Sequence, residues 1–307
     1  MEQFVQQLLN GLFLGSVYAL IALGYTMVYG VLRFINFAHG DIFMLGAFTG
    51  LYLNKALSPM LVALPWPVSL LIILVLSMLI CGALGILIEF LAYRPLRDKP
   101  RLNVLITAIG VSLFLEYTGQ LIFGATQQPF PMLIPRQNIA ALGGLVITTT
   151  QVIVLTTAII LMLGLRFIVM KTRMGLAMRA LSLNPTASAL MGVNNSVIIS
   201  FTFGLGSALA AAGGILYASL YPSIEPFMGI LPGLKAFVAA VLGGIGNIPG
   251  AALGGLIIGV TETLVAGYSQ HIGIPSGYRD GVAFVILIMI LIFKPSGLLG
   301  KVEREKV

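Results

Sequence analysis

The chain has 307 residues, 58% of them hydrophobic and 9% charged, with a mean hydropathy of +1.04. A soluble domain carries roughly 25% charged residues, so this composition excludes one and points to a helical bundle in a bilayer. The net charge of +7 is carried largely by clusters between apolar runs, which argues for cytoplasmic loops rather than a nucleic-acid surface.

Residues 8–29 form a strong first span. No lysine or arginine precedes it and Glu2 does, so it reads as a retained helix rather than a secretory signal. Residues 35–53 are weaker, broken by Asn36, His39 and Asp41. Residues 61–93 exceed the ~20 needed to cross a bilayer and lead into a basic cluster of Arg94, Arg97, Lys99 and Arg101. The lone cysteine, Cys81, lies inside this run among Ile80, Gly82 and Leu84 and reads as a small core residue. Residues 102–123 lead outward to a loop at 124–144 rich in proline and glutamine. Residues 147–169 return to a second basic cluster, Arg166, Lys171, Arg173 and Arg179. Spans at 197–220, 233–246, 249–266 and 281–293 follow, and the third cluster is Lys294, Lys301, Arg304 and Lys306. The prediction is one all-α, polytopic membrane domain over 1–307 with eight or nine spans or re-entrant segments. The side on which it starts depends on whether 35–53 crosses fully.

The polar, basic-headed insert at 171–195 is too long and too patterned for a turn. Asn184 can cap a helix that opens at Pro185, whose missing N–H would be unpaired there anyway, and Gly192 suits its C-terminus. A short helix at the basic surface suggests a docking element for a cytoplasmic partner.

Glycines recur four apart (Gly11 and Gly15; Gly246, Gly250 and Gly254; Gly255 and Gly259). Such faces allow close helix approach, within one subunit or between subunits. A faint repeat is present. Leu14-Gly15-Ser16 with Ala19 recurs as Leu205-Gly206-Ser207 with Ala210, at an offset of 191. Val31-Leu32 with Gly40 recurs as Val241-Leu242 with Gly250, at an offset of 210, which implies a 19-residue insertion.

Ionisable groups at membrane depth are costly and face a cavity, a partner or the interface. Asn36, His39 and Asp41 therefore read either as a half-helix lining a translocation path or as a structural corner. Glu89, Glu116 and Glu262 read as isolated in separate spans, which speaks against a proton relay. The run 243–250, with Gly246, Asn247 and Pro249, breaks a second helix and either offers backbone groups to a polar substrate or makes a tight turn. Trp66, Tyr217, Tyr221 and Phe227 suit interfacial belts. The sole Gly-Lys pair, Gly300-Lys301, is followed by Val302, so the phosphate cradle for ATP is missing. With two histidines and one cysteine, no metal site or nucleophilic triad can be argued, and an enzyme is not expected.

Several segments together resemble the branched-chain amino acid ABC permeases. Gly24-Tyr25-Thr26-Met27-Val28-Tyr29-Gly30, followed by Ile35-Asn36-Phe37-Ala38-His39-Gly40-Asp41, looks like their N-terminal signature. Ala92-Tyr93-Arg94-Pro95-Leu96-Arg97 resembles their first cytoplasmic loop, and Arg173-Met174-Gly175 with Arg179-Ala180 and Gly192 their coupling region. Lys235-Ala236-Phe237, then 241–250, resembles their C-terminal signature, and Pro295-Ser296-Gly297-Leu298-Leu299-Gly300 their usual ending. The length suits the shorter, LivH-type member of the permease pair.

The resemblance implies a heteromeric importer in the bacterial inner membrane. A second related permease completes the pathway within the lipid, two cytoplasmic ATPases bind the ATP, and a periplasmic binding protein delivers leucine, isoleucine or valine. It implies that Arg173, Gly175, Met178, Arg179, Ala180, Asn184 and Pro185 couple to the ATPase, and that Asn36, His39 and Asp41 belong to the pathway, to which the broken run adds Gly246 and Asn247. No cofactor or metal is expected on this chain, and no nucleic acid. Urea or a short amide is the alternative cargo. A self-sufficient secondary transporter is disfavoured by the insert at 171–195 and by the expected absence of paired membrane carboxylates.

Overall fold

The computed structural model describes residues 2–32, 34–97, 99–142, 145–272 and 275–300. Twelve α-helices follow in chain order among these residues. They are α1 (Glu2–Leu32), α2 (His39–Ala56), α3 (Ser58–Leu61), α4 (Trp66–Ile88), α5 (Arg101–Phe123), α6 (Thr149–Lys171), α7 (Arg173–Leu183), α8 (Pro185–Leu190), α9 (Asn195–Leu220), α10 (Ile230–Gly243), α11 (Ile248–Ile272) and α12 (Arg279–Phe293). Six described helices are long and apolar enough to cross a membrane; one of them, α4, continues through a π-turn and a 3-10 turn to Leu96. Helices α2, α10 and α12 are shorter.

The loop at 124–144 is not structureless. β1 (Gln128–Pro129) pairs antiparallel with β4 (Ser223–Ile224), and β2 (Asn138–Leu142) pairs with β3 (Leu145–Thr148) in a hairpin with a bulge near Asn138. The first ladder joins this loop to the strand that descends from α9 to α10. Thr148 then opens α6 with a capping box, its hydroxyl and Gln151 satisfying each other's backbone.

Helix α1 is the axis of the molecule, buried from Phe13 to Val28. It packs lengthwise on α11, with α9 and α10 beside it. Hydrophobic burial does not hold helices together in lipid, so this contact relies on close backbone approach. Gly15 supplies it: a Cβ there would stand 2.8 Å from the Leu256 Cα, closer than van der Waals contact allows. The four-apart glycines thus pack within one chain. Gly254 lies against Ala239 and Gly250 against Gly243, while a Cβ on Gly246 would meet open space. Helices α4, α5, α6 and α12 form an outer layer, with Leu79, Phe114, Ile160 and Phe293 among their exposed apolar side chains.

The helix ends carrying Arg97, Lys171 and Lys294 lie at one end of the bundle, the basic end. The start of α1 lies at the other, where Gln6 bonds the backbone of Val146. Helix α1 runs toward the basic end and the chain turns back, but α2 begins well inside, with His39 beside Ile21. From there α2 runs away from the basic end alongside α9, Gly46 meeting Ala211 and Gly50 meeting Ile215. Helix α9 runs away from the basic end, and the chain descends again to start α10 midway. The two pairs are inverted copies. The offset of 191 sets His39, the first residue of α2, against Ile230, the first of α10. The second match, at 210, falls on the α10–α11 hairpin, where a short helix precedes a long one, the reverse of α1–α2. One repeat with a 19-residue insertion therefore does not describe the fold.

Residues 171–195 form two helices rather than one. Thr172 caps α7 by accepting from the Gly175 N–H at 3.1 Å, and Asn184 caps α8 by accepting from Ala187 N–H at 3.0 Å. Pro185 is its first residue and Gly192 follows with φ +83°, the left-handed conformation glycine tolerates best. Lys294 sits at the end of α12; Lys301, Arg304 and Lys306 lie outside the described residues.

Candidate functional site

The N-termini of α2 and α10 meet in the middle of the bundle. Gly40 packs on Gly229 and Gly233, a Cβ on Gly40 standing 2.7 Å from the Gly229 carbonyl oxygen. Two helix N-termini bring two positive dipole ends together, the arrangement found where broken helices of transporters converge. Around this junction the predicted pathway residues are buried and paired. His39 Nε2 lies 3.1 Å from the Ile21 carbonyl; a carbonyl can only accept, so this nitrogen carries the proton. Its ring packs edge-on against Tyr25 at 4.6 Å, and Gly24 leaves room for the imidazole. Asn36 Oδ1 accepts from the Tyr93 hydroxyl at 2.6 Å. Asp41 Oδ2 accepts from the Ser112 hydroxyl at 2.5 Å, and the Glu116 carboxyl lies within reach of both.

Gly246 and Asn247 lie elsewhere, at the basic end. Gly244 (φ +100°) and Gly246 (φ +91°) turn the chain between α10 and α11. Asn247 caps α11 by accepting from the Gly250 N–H at 3.2 Å, and its Nδ2 donates to the Leu299 carbonyl at 2.7 Å. The predicted pathway set is therefore two groups at two depths.

The carboxylates read as isolated are not. Glu116 joins Asp41. Glu89, fully buried, is ion-paired with Arg97 and accepts from Ser200 at 2.5 Å, while Arg97 also donates to Ser196 at 3.0 Å. Glu262 accepts from Lys235 Nζ at 2.7 Å and from the Tyr18 hydroxyl at 2.9 Å. Lys235 reaches Asp280 at 2.5 Å as well, so one buried ammonium ties α10 to α11 and α12. Glu116 and Glu262 stand isolated in sequence because their partners Asp41 and Lys235 lie many residues away, and the separation of these carboxylates does not disfavour a self-sufficient transporter. Lys235, Glu262 and Asp280 were not singled out as a site from sequence. The available signal was Lys235 itself, a lone cation in the apolar run 230–243.

Beside this network a cavity of about 330 Å³ is lined by α1, α6, α9, α11 and the start of α12, including Asn10, Phe13, Gln151, Leu220, Glu262 and Arg279. It lies toward the end of the bundle away from the basic clusters. Tyr217, expected in an interfacial belt, packs inward on Phe43 at 5.5 Å and on Tyr221 at 5.0 Å; Trp66 is partly exposed at the start of α4.

At the basic end, Gly175 lies against the carbonyls of Ile168 and Val169, and Met178 and Leu181 are buried. These three turn α7 inward. Arg173, Arg179, Asn184 and Pro185 face out, with Ala180 at the margin. Between them Leu183 (80% exposed), Leu190 (83%) and Met191 (84%) stand clear of the bundle.

Residues 7–291 match the family described as branched-chain amino acid transport system / permease component. The chain belongs to this family. Among its relatives, the high-affinity branched-chain amino acid transport system permease protein BraD of Pseudomonas aeruginosa is 42% identical over 99% of this permease and 98% of BraD. LivH of Escherichia coli K12 is 41% identical over the same shares. The probable branched-chain amino acid transport permease protein LivH of Methanocaldococcus jannaschii is 30% identical over 93% of this permease and 89% of that protein. No solved structure matches it. The permease is thus a multi-pass membrane transport component, as its helices also require.

Proposed function

We propose that this permease is the LivH-type subunit of an ATP-driven importer that carries leucine, isoleucine and valine across the bacterial inner membrane. A second related permease would complete the pathway, two cytoplasmic ATPases would supply the energy and a periplasmic protein would deliver the cargo. The observation that carries this reading is the identity of about two residues in five with BraD and LivH along essentially the whole chain.

The coupling role divides in two. Arg173, Arg179, Ala180, Asn184 and Pro185, with the bare apolar side chains of Leu183, Leu190 and Met191 beside them, would meet the ATPase. Gly175 and Met178 would instead seat α7 on the end of α6, so that a push on the segment reaches the bundle. Helix α7 also touches α1 and α9, and α8 touches α9. The Glu89–Arg97 pair, with Ser196 and Ser200, joins the first turns of α9 to the end of α4. Movement at the segment would therefore carry α9 and α4 together. Asn36, His39 and Asp41 would hold the start of α2 beside the pathway, and Gly246 and Asn247 would flank its inner end.

The test is ATP-dependent uptake in proteoliposomes containing the permease with its partner subunits. Radiolabelled leucine should accumulate only with ATP and the binding protein. Uptake of urea but not leucine would overturn the cargo, and uptake by this chain alone without ATP would overturn the mechanism.

A further inference from the structure

The cavity away from the basic end has a composition that the packing of the bundle does not require. Arg279 lies on its wall although basic residues concentrate at the other end. Its side chain is 53% exposed, and its Nε stands 3.9 Å from Glu262 Oε1 and 3.8 Å from Asp280 Oδ1, beyond hydrogen-bond reach. A guanidinium offers five donors in a planar fork suited to a carboxylate and keeps its charge throughout the working pH range. On the same wall is Glu262, whose two oxygens each accept one bond among the described residues, from Lys235 and from Tyr18. A carboxylate has about four lone-pair positions, so capacity remains for a donor entering from the cavity.

Charge balance narrows the guest. Lys235 and Arg279 contribute two positive charges, and Glu262 and Asp280 two negative ones. A guest with net charge would unbalance a cluster whose Lys235 and Glu262 are buried. A zwitterion would not, and it would present an anion to Arg279 and a cation to Glu262 at once. The remaining wall is mixed: Phe13, Leu14 and Leu220 offer apolar surface to an aliphatic side chain, beside the amides of Gln7, Asn10 and Gln151. A volume of about 330 Å³ is at the small end of ligand pockets, ~300–1,000 Å³, suitable for a single amino acid.

We infer that this cavity is a binding site for an aliphatic α-amino acid, with its carboxylate on Arg279, its ammonium on Glu262 and its side chain against Phe13, Leu14 and Leu220. The inference rests on the reading that the permease handles amino acids, and it adds that this chain itself recognises them. Because Glu262 also holds Lys235 of α10, occupancy of the site is felt directly by a helix that meets α2 at the centre of the bundle.

The test is scintillation-proximity binding of tritiated leucine to the purified full chain in nanodiscs. 4-Methylpentanoate lacks the ammonium and leucinamide lacks the carboxylate. Both should compete at least about tenfold less well than unlabelled leucine, since each forfeits a charge-assisted contact. Arg279→Gln should weaken leucine about tenfold and leave competition by leucinamide unchanged, a pattern that general damage to the fold would not give. Ala266→Phe, which fills the cavity, should abolish binding; if that variant fails to fold, the analogues and Arg279→Gln still decide. Leucine binding that is absent, indifferent to both missing groups, or unchanged by Arg279→Gln would overturn the site. ATP-driven leucine uptake by the assembled importer separates this outcome from failure of the transport reading: uptake with no such binding removes the site and leaves the importer.

Discussion

Helices α2 and α10 are inverted counterparts that begin at the same junction, yet they are held by different chemistry. The first turn of α2 is fastened by short-range bonds: His39 to a carbonyl, Asp41 to Ser112, and Asn36, in the break before it, to Tyr93. Its flank lies on α9 through Gly46 and Ala211. Helix α10 is apolar but for Lys235, which is 3% exposed and shared between two carboxylates on other helices, next to a cavity. The difference suggests a fixed half and an adjustable half. Apart from the contact of Asp41 with the Glu116 carboxyl, the α2 bonds go to neutral groups and satisfy one geometry, whereas an ammonium between two carboxylates can redistribute when a guest engages one of them.

The most damaging single change should be Lys235→Met. It leaves Glu262 buried without its cation, and removing one partner of a buried pair costs about 3–5 kcal/mol. Thermal unfolding in detergent should show the loss, and adding Glu262→Gln should restore much of it. If Lys235→Met melts like the parent, the ammonium does not anchor α10. Next comes Gly40→Leu, which drives a side chain into the backbone of Gly229 and Gly233; overpacking of this kind costs about 1–3 kcal/mol or more. Size-exclusion profiles should show poor assembly, and a monodisperse, active variant would mean that the two helices do not need to touch.

A smaller effect is expected of His39→Leu, which loses one buried hydrogen bond and leaves the Ile21 carbonyl without this donor, about 1–2 kcal/mol. Its melting point should fall while leucine binding to the nanodisc-held chain stays within about twofold of the parent. A selective loss of binding would instead move α2 into the adjustable half. Arg179→Glu lies outside both helices and should leave stability nearly untouched, since the Arg179 contacts are long and exposed. It should lower co-purification with the ATPase by opposing charge complementarity. Unchanged co-purification and uptake would take Arg179 out of the contact.

Much of this architecture was legible residue by residue. The Asn184-Pro185 cap and the Gly192 stop are local chemistry, and each appears where the sequence places it. The spans are legible because hydropathy is a sum over neighbours, and their bounds move by a few residues at most ends. What escaped was depth and pairing. Met178 reads like Arg179 on a basic segment, yet the packing of α7 buries the first and leaves the second exposed. Glu262 reads as isolated because Lys235 is 27 residues away and Tyr18 is on another helix.

The sequence by itself determined that this chain lives in a membrane, where its helices lie, which end is basic and, through its motifs, which family it resembles. The first three follow from composition, periodicity and local hydrogen bonding, read over a few turns of chain; the resemblance rests on the motifs alone. Only the tertiary structure decided that α2 and α10 begin midway, that Gly40 meets Gly229, and that four charges gather beside a cavity. Desolvation makes an unpaired charge at that depth too costly to keep, so the partners must come together, but which partner each finds depends on helix packing that no local window contains.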